Sequence, residues 1–131
     1  MLSHVHIGVN DFDRAFAFYH SLMKELGFAL KFSELDRPWA GWASSDRDRP
    51  LFIIGRPFNG ECAIPGNGQM VALLVPDRDA VDRGYATAIA NGARDEGKPG
   101  LRPHYHPHYY GAYFRDTDGN KLCICCHNPA P

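Results

Sequence analysis

"HVHIGVNDFDRAFAFYHSLMKELGF", His4 to Phe28, decides the fold, because the chain says it twice. Val5, Ile7 and Val9 alternate with His4, His6 and Gly8, the two-residue period of a half-buried strand. Asn10 and Asp11 follow as helix caps, and Phe12, Ala15, Phe16, Tyr19, Leu22, Met23 and Leu26 then recur at helical spacing. Gly27 stands where a helix end favours a left-handed residue. The second statement is "MVALLVPDRDAVDRGYATAIANG", Met70 to Gly92. A shift of 66 residues lays Val5 on Val71, Val9 on Val75, Asp11 on Asp77, Tyr19 on Tyr85 and Met23 on Ile89. Its helix carries Ala80, Val81, Gly84, Tyr85, Ala88 and Ile89 and ends at Gly92. An internal repeat of half the chain length predicts two copies of one structural unit.

Strand-like segments follow each helix. In the first half they are Ala29–Phe32, Gly41–Ser44 and Leu51–Gly55; in the second, Arg94–Glu96, Ala112–Arg115 and Lys121–Cys126. Asp118-Gly119 between the last two is a hairpin signal, and its acids belong to the turn. Arg56–Gln69, with two prolines and three glycines, reads as a linker. The pattern predicts an α+β fold: tandem βαβββ units, residues 1–58 and 66–131, forming an incomplete barrel around a central cavity within one domain. The repeat assigns the strand faces. Val5/Ile7/Val9, Val71/Leu73/Val75 and Leu122/Ile124 cover the helices, while His4/His6/Gly8, Met70/Ala72/Leu74 and Cys123/Cys125 face the cavity.

Composition narrows the function classes. Of 131 residues, 44% are hydrophobic, enough for a core. The net charge of −1 and the lack of a basic stripe argue against nucleic-acid binding. Runs such as Met70–Val75 are too short to span a bilayer, and no secretory signal is seen, so a cytoplasmic protein without membrane association is expected. Cys62, Cys123, Cys125 and Cys126 lack the paired knuckles of structural zinc, and Cys125–Cys126 is poorly placed for a bridge; reduced, buried thiols are expected. No nucleophile elbow, phosphate-binding loop or dinucleotide glycine pattern is present.

The segment "RPHYHPHYYGAYFRDTDGNKLCICCH", Arg102 to His127, concentrates the remaining chemistry. His104, His106 and His108 alternate with Tyr105, Pro107 and Tyr109, so an extended backbone would point three imidazoles to one side. They can serve as proton carriers near neutral pH, with His106 the candidate catalytic group, or as solvated loop residues between Pro103 and Pro107. Tyr105, Tyr109 and Tyr110 can stack on a planar substrate. Arg102 and Arg115 are the cations best placed to meet an anion; Arg115, beside Asp116, reads rather as surface charge or half of a carboxylate pair. Trp39 and Trp42 are either an aromatic cavity wall or else sheet packing or a dimer seam, and His6 is either a substrate contact or a satisfied core histidine.

Two segments, the quoted His4–Phe28 stretch and "YYGAYFRDTDGNKLCICCH", resemble the vicinal oxygen chelate superfamily, which includes glyoxalase I, bleomycin-resistance proteins and extradiol dioxygenases. Phe18-Tyr19 and Leu26-Gly27-Phe28 resemble the family's first helix, with one extra residue between the two motifs. The Arg115–Asn120 turn resembles its closing hairpin, with Thr117 where proline is usual. The segment "GLRPHYHPHYYGAYFRD" further resembles a subset of bacterial glyoxalase-like proteins. The resemblance implies a homodimer and a metal site drawing one residue from each of four strands. Those positions match His4, a residue near Ile54, Met70 and Cys123, so only His4 and Cys123 are candidate ligands, with His6 or His127 as possible additions. A divalent metal (zinc, nickel, manganese or iron) is the implied cofactor of a degenerate site.

Two functions remain open. One is a glyoxalase- or dioxygenase-like enzyme acting on a small polar molecule, with His4 and Cys123 at the metal, His106 as proton carrier, and His6, Trp42, Arg102, Tyr105 and Tyr109 around the substrate. The other is a metal-free protein that binds and sequesters a small molecule such as an antibiotic.

Overall fold

A computed structural model describes residues 1–131. The first unit runs β1 (His4–Gly8), α1 (Phe12–Leu26), β2 (Phe28–Glu34), β3 (Trp39–Ser44) and β4 (Leu51–Gly55). The second runs β5 (Val71–Leu74), α2 (Arg78–Ala90), β6 (Arg94–Leu101), β7 (Tyr110–Arg115) and β8 (Lys121–Cys126). Each unit folds into its own four-stranded sheet, in the orders β1-β4-β3-β2 and β5-β8-β7-β6. β1 pairs parallel with β4 and β5 pairs parallel with β8; the other pairs are antiparallel. The two βαβββ units are thus repeated in space as in sequence, without closing a barrel. No helix is long and apolar enough to cross a membrane.

The helix signals act where their chemistry requires. The Asp11 carboxylate accepts from the Arg14 N–H at 3.1 Å, and Asp77 accepts from the Ala80 N–H at 2.8 Å. Gly27 caps α1 at φ 82°, and its N–H bonds back to the carbonyls of Met23 and Lys24. Gly84 serves packing instead: a Cβ there would come within 2.7 Å of Leu26 and 2.8 Å of Ile124. The missing side chain lets α2 lie against both α1 and β8, where Arg83 and Glu25 pair at 3.6 Å.

One core runs through both units. It includes Val9, Leu22, Phe52 and Ile54 from the first and Val75, Val81, Phe114, Leu122 and Ile124 from the second. Phe18 is only 2% exposed, although the expected apolar stripe of α1 did not include it. The reason lies outside the helix: α1 touches its own sheet on one side and the second unit on the other, so it buries a wider arc. Phe18 reaches Phe114 of β7 at 6.3 Å between ring centroids. Burying a ring of this size stabilises by about 2–3 kcal/mol.

The β7–β8 turn clasps the two units. Asp116, 5% exposed, accepts hydrogen bonds from the Tyr19 hydroxyl on α1, from the backbone N–H groups of Asp118 and Asn120 (2.9 Å each), and from Asn120 Nδ2 (3.0 Å). Asn120 Nδ2 also reaches the Gly8 carbonyl at 3.0 Å. The Asn10 N–H donates to Asp118 at 3.0 Å, and Arg14 donates to the Thr117 carbonyl at 2.6 Å. The expectation that these acids serve the turn holds, and they also join the halves.

Removing the clasp should therefore cost global stability. Asp116→Ala strands several donors and is expected to lower unfolding free energy by roughly 3–5 kcal/mol; Tyr19→Phe, which deletes one bond to a charged acceptor, by about 1.5–3 kcal/mol. Urea denaturation measures both, and losses below about 0.5 kcal/mol would contradict the role given to the turn.

Candidate functional site

Strand register sets what each sheet offers on the side away from the helices. In the first sheet His4 is level with Leu51, His6 with Ile53 and Gly8 with Gly55. Trp39 is level with Gly55 and Gly41 with Ile53. These residues share the outer face with the two histidines, while Ile54 and Trp42 point to the core. This corrects two assignments. The inherited ligand position on β4 falls at Ile53 or Gly55, not Ile54, because one residue along a strand reverses the face. Trp42, 1% exposed, packs against Phe16 and Tyr19 and floors an apolar pocket of about 260 Å³ with Val5, Met23 and Leu73; the aromatic on the histidine face is Trp39.

His6 holds the central place on that face. A Cβ on Gly55 would lie 3.1 Å from its Nε2 and 3.1 Å from the Trp39 Cβ, so glycine makes room for the imidazole against β4. Three adjoining clefts meet at His6. One of about 510 Å³ follows the seam between the unpaired edges of β1 and β5, reaching Met70, Asn120 and Lys121. One of about 490 Å³ leads to Arg37, Trp39 and Arg56. One of about 440 Å³ runs under the linker past Glu61 and Cys62. Loss of hydration lowers the His6 pKa from 6.5, and the neighbouring His4 adds to the effect. His6 is therefore mainly neutral at pH 7, able to donate at one nitrogen and accept at the other. His4 is exposed, with Nδ1 2.9 Å from the Ser3 hydroxyl.

The second sheet carries thiols rather than imidazoles on the corresponding face. Cys123 is level with Ala72 and Tyr113, and Cys125 with Leu74 and Gly111. Both are buried under the segment from Arg102 to Tyr109. That segment does not extend. Tyr105 N–H bonds the Arg102 carbonyl at 3.0 Å and Tyr109 N–H the His106 carbonyl at 3.2 Å, forming turns that scatter the three histidines. His104 packs on Tyr105 at 4.2 Å, and His108 donates its backbone N–H to His106 Nδ1 at 3.1 Å. Pro103 and Pro107 cannot donate in a ladder, which explains why alternation in sequence gives no strand here.

The acceptor role of His106 Nδ1 assigns the tautomers. His106 Nε2 carries the proton and donates to His127 Nδ1 at 2.8 Å; His127 Nε2–H then faces Cys125 Sγ at 3.9 Å. Tyr109 OH lies 3.4 Å from Cys123 Sγ and 3.0 Å from Tyr113 OH. Cys123 is lowered to about 7, first by a hydrogen bond from Cys125 and then by those from Tyr109 and Tyr113 and by the Arg102 charge, against the opposing effect of burial. The same pairing raises Cys125 well above the usual thiol range, because it is the donor. Arg102 is spent on the loop: it donates to the Lys98 carbonyl at 2.8 Å and lies 5.4 Å from the Tyr113 ring centre. Arg115 does pair with a carboxylate, but with Glu96 on β6 and not with the adjacent Asp116. Cys126 is buried on the helix side and Cys62 is exposed, so the expectation of buried thiols fails for Cys62 alone; no cysteine is bridged.

The structure brings His106, Tyr105 and Tyr109 together with Cys123, and gives His4 and His6 separate surroundings on the other sheet. The four inherited metal positions do not fit a divalent cation. β4 supplies no donor, Met70 supplies a thioether, and the Cys123 sulfur is buried against Tyr109. No group of three or more His, Cys, Asp or Glu side chains could hold a metal ion. Gly55 and Arg56 escaped the sequence reading, and of the two tryptophans it named only Trp39 lies beside His6, as the register of β3 on β4 sets.

Comparison with known proteins agrees with this architecture. The model of the Glyoxalase/Bleomycin resistance protein/Dioxygenase superfamily matches residues 1–124, and the chain belongs to that family. A glyoxalase/bleomycin resistance protein from Albidiferax ferrireducens T118 is 33% identical, with 98% of this chain and 99% of that one covered and a TM-score of 0.84. A glyoxalase/bleomycin resistance protein/dioxygenase family enzyme from Burkholderia phytofirmans PsJN shares the fold at 22% identity, with 96% and 98% covered and a TM-score of 0.71. No protein of curated function matches at a significant level.

Two titrations follow. Ultraviolet absorbance of thiolate should show one cysteine ionising near pH 7, moving upward in Tyr109→Phe; an absence of any thiolate between pH 6 and 8 would refute the Cys123 environment. The His6 imidazole should titrate below 6.5 by NMR. Its folded pKa is depressed, so the unfolded chain takes up the proton first, and His6 subtracts stability only as pH falls below about 6.5. His6→Gln should remove part of the acid loss of stability, and an unchanged pH profile would speak against it.

Proposed function

We propose that this protein binds a small polar molecule on the outer face of its first sheet, with His6 as the central contact. The meeting of three clefts at His6 carries this reading. These clefts are lined mainly by polar residues, glycines and prolines, which suits a polar ligand, and a neutral imidazole over Gly55 supplies a group that can both donate and accept. The donor set at the inherited metal positions favours binding without a built metal site, as in the sequestering branch of the family.

One observation favours a second reading, chemistry of a glyoxalase- or dioxygenase-like kind on the bound molecule. The Tyr109 hydroxyl lies on the Cys123 thiol and the His106–His127 pair on the Cys125 thiol, and the hydrogen bond from Cys125 to Cys123 joins them into a path for a proton on the second sheet. We further propose that the chain forms a homodimer. In support, β1 and β5 end their sheets with free edges, and Leu2, Met70 and Leu74 stand exposed beside them. Four unbridged cysteines suit the cytoplasm.

A thermal-shift screen of small polar compounds tests the first reading. Hits should stabilise the wild type and lose their effect in His6→Ala and Gly55→Ala; hits indifferent to both substitutions would contradict it. Sedimentation should give twice the chain mass, and a monomer at micromolar concentration would contradict the dimer.

A further inference from the structure

We infer that the cleft joining His6 to Arg56 takes a planar organic anion, an aryl or unsaturated carboxylate, with Arg56 as its charge partner. This rests on the proposed binding role of the first sheet and names the ligand class.

The walls of this cleft differ in kind. The apolar side is formed by Pro38, Pro57 and Phe58. Phe58 is 108% exposed, so its ring packs against nothing in the protein and would gain by being covered. The polar side is cationic. Arg37 and Arg56 both line it, in a chain whose net charge is −1, so the local positive charge is not a general background.

The two arginines are not equivalent. Arg37 lies over the Trp39 ring at 4.6 Å and pairs with Glu34 at 3.5 Å. Glu34 also accepts from Trp39 Nε1, so its charge is held beside Arg37 and offsets it. Arg56 is exposed and takes part in none of the protein's salt bridges, so its guanidinium donors face solvent and are free to meet a ligand. Glu61, the acid lining a neighbouring cleft, is held by Asn59 at 3.0 Å. His6 closes the inner end, where the missing side chain of Gly55 leaves room for its ring. A flat molecule with an apolar body and a carboxylate at one edge matches all three surfaces.

An NMR titration of the full chain with benzoate, benzamide and benzylamine decides the matter, read at the Trp39 indole N–H and the His6 ring. Benzoate should shift both signals saturably, with benzamide at least about tenfold weaker. Arg56→Gln should weaken benzoate about tenfold and leave benzamide unchanged, and Arg56→Lys should restore part of the loss. Benzamide or benzylamine binding as tightly as benzoate, or Arg56→Gln without effect, would overturn the anion assignment while leaving the binding role intact. No shift with any of the three probes would overturn both.

Discussion

A buried carboxylate with no counter-ion must find hydrogen-bond donors or fail to stay buried, and Asp116 finds them in both halves of the molecule. Its own turn supplies two backbone N–H groups and the Asn120 amide; α1 of the other unit supplies the Tyr19 hydroxyl. Burial and the carboxylate together hold the Tyr19 phenol protonated, far above its usual pKa. Because Asn120 also holds the end of β1, the turn fixes the first strand of one unit against the last hairpin of the other. The position of the seam, and hence of the two clefts beside His6 that reach Asn120, follows from this junction.

Around that junction the two units have diverged in what they present. Both keep their helix-facing residues apolar, since a shared core tolerates little else. On the opposite faces the constraint is weaker. The first sheet shows histidines over a glycine; the second shows thiols roofed by tyrosines and a turn-rich loop. The family's four-strand donor set needs matched positions in both units, and here each unit has drifted toward its own chemistry: a neutral imidazole at open clefts in one, a buried thiol of lowered pKa in the other.

Much of this was legible in the residues. Strict alternation in β1 and β5, two aspartate caps and a repeat of one offset were enough for element order, for the helix-facing sides of three strands and for the clasping hairpin. What escaped depends on information that no short window holds. Phe18 is buried because a distant strand covers it. Trp42 rather than Trp39 is in the core because β3 takes its register from β4, and a run of apolar residues such as Leu51–Ile54 does not reveal its parity. The loop histidines alternate in sequence, yet prolines and local turns point them apart. Arg56 reads as a linker residue until the fold brings it next to His6.

Native-state hydrogen exchange at the Asp118 and Asn120 amides tests the junction most directly. Both donate to Asp116, and the account predicts that they exchange only through global unfolding, at the rate of the β8 core amides despite sitting in a surface turn. Exchange at the rate of an open loop, with β8 still protected, would contradict it.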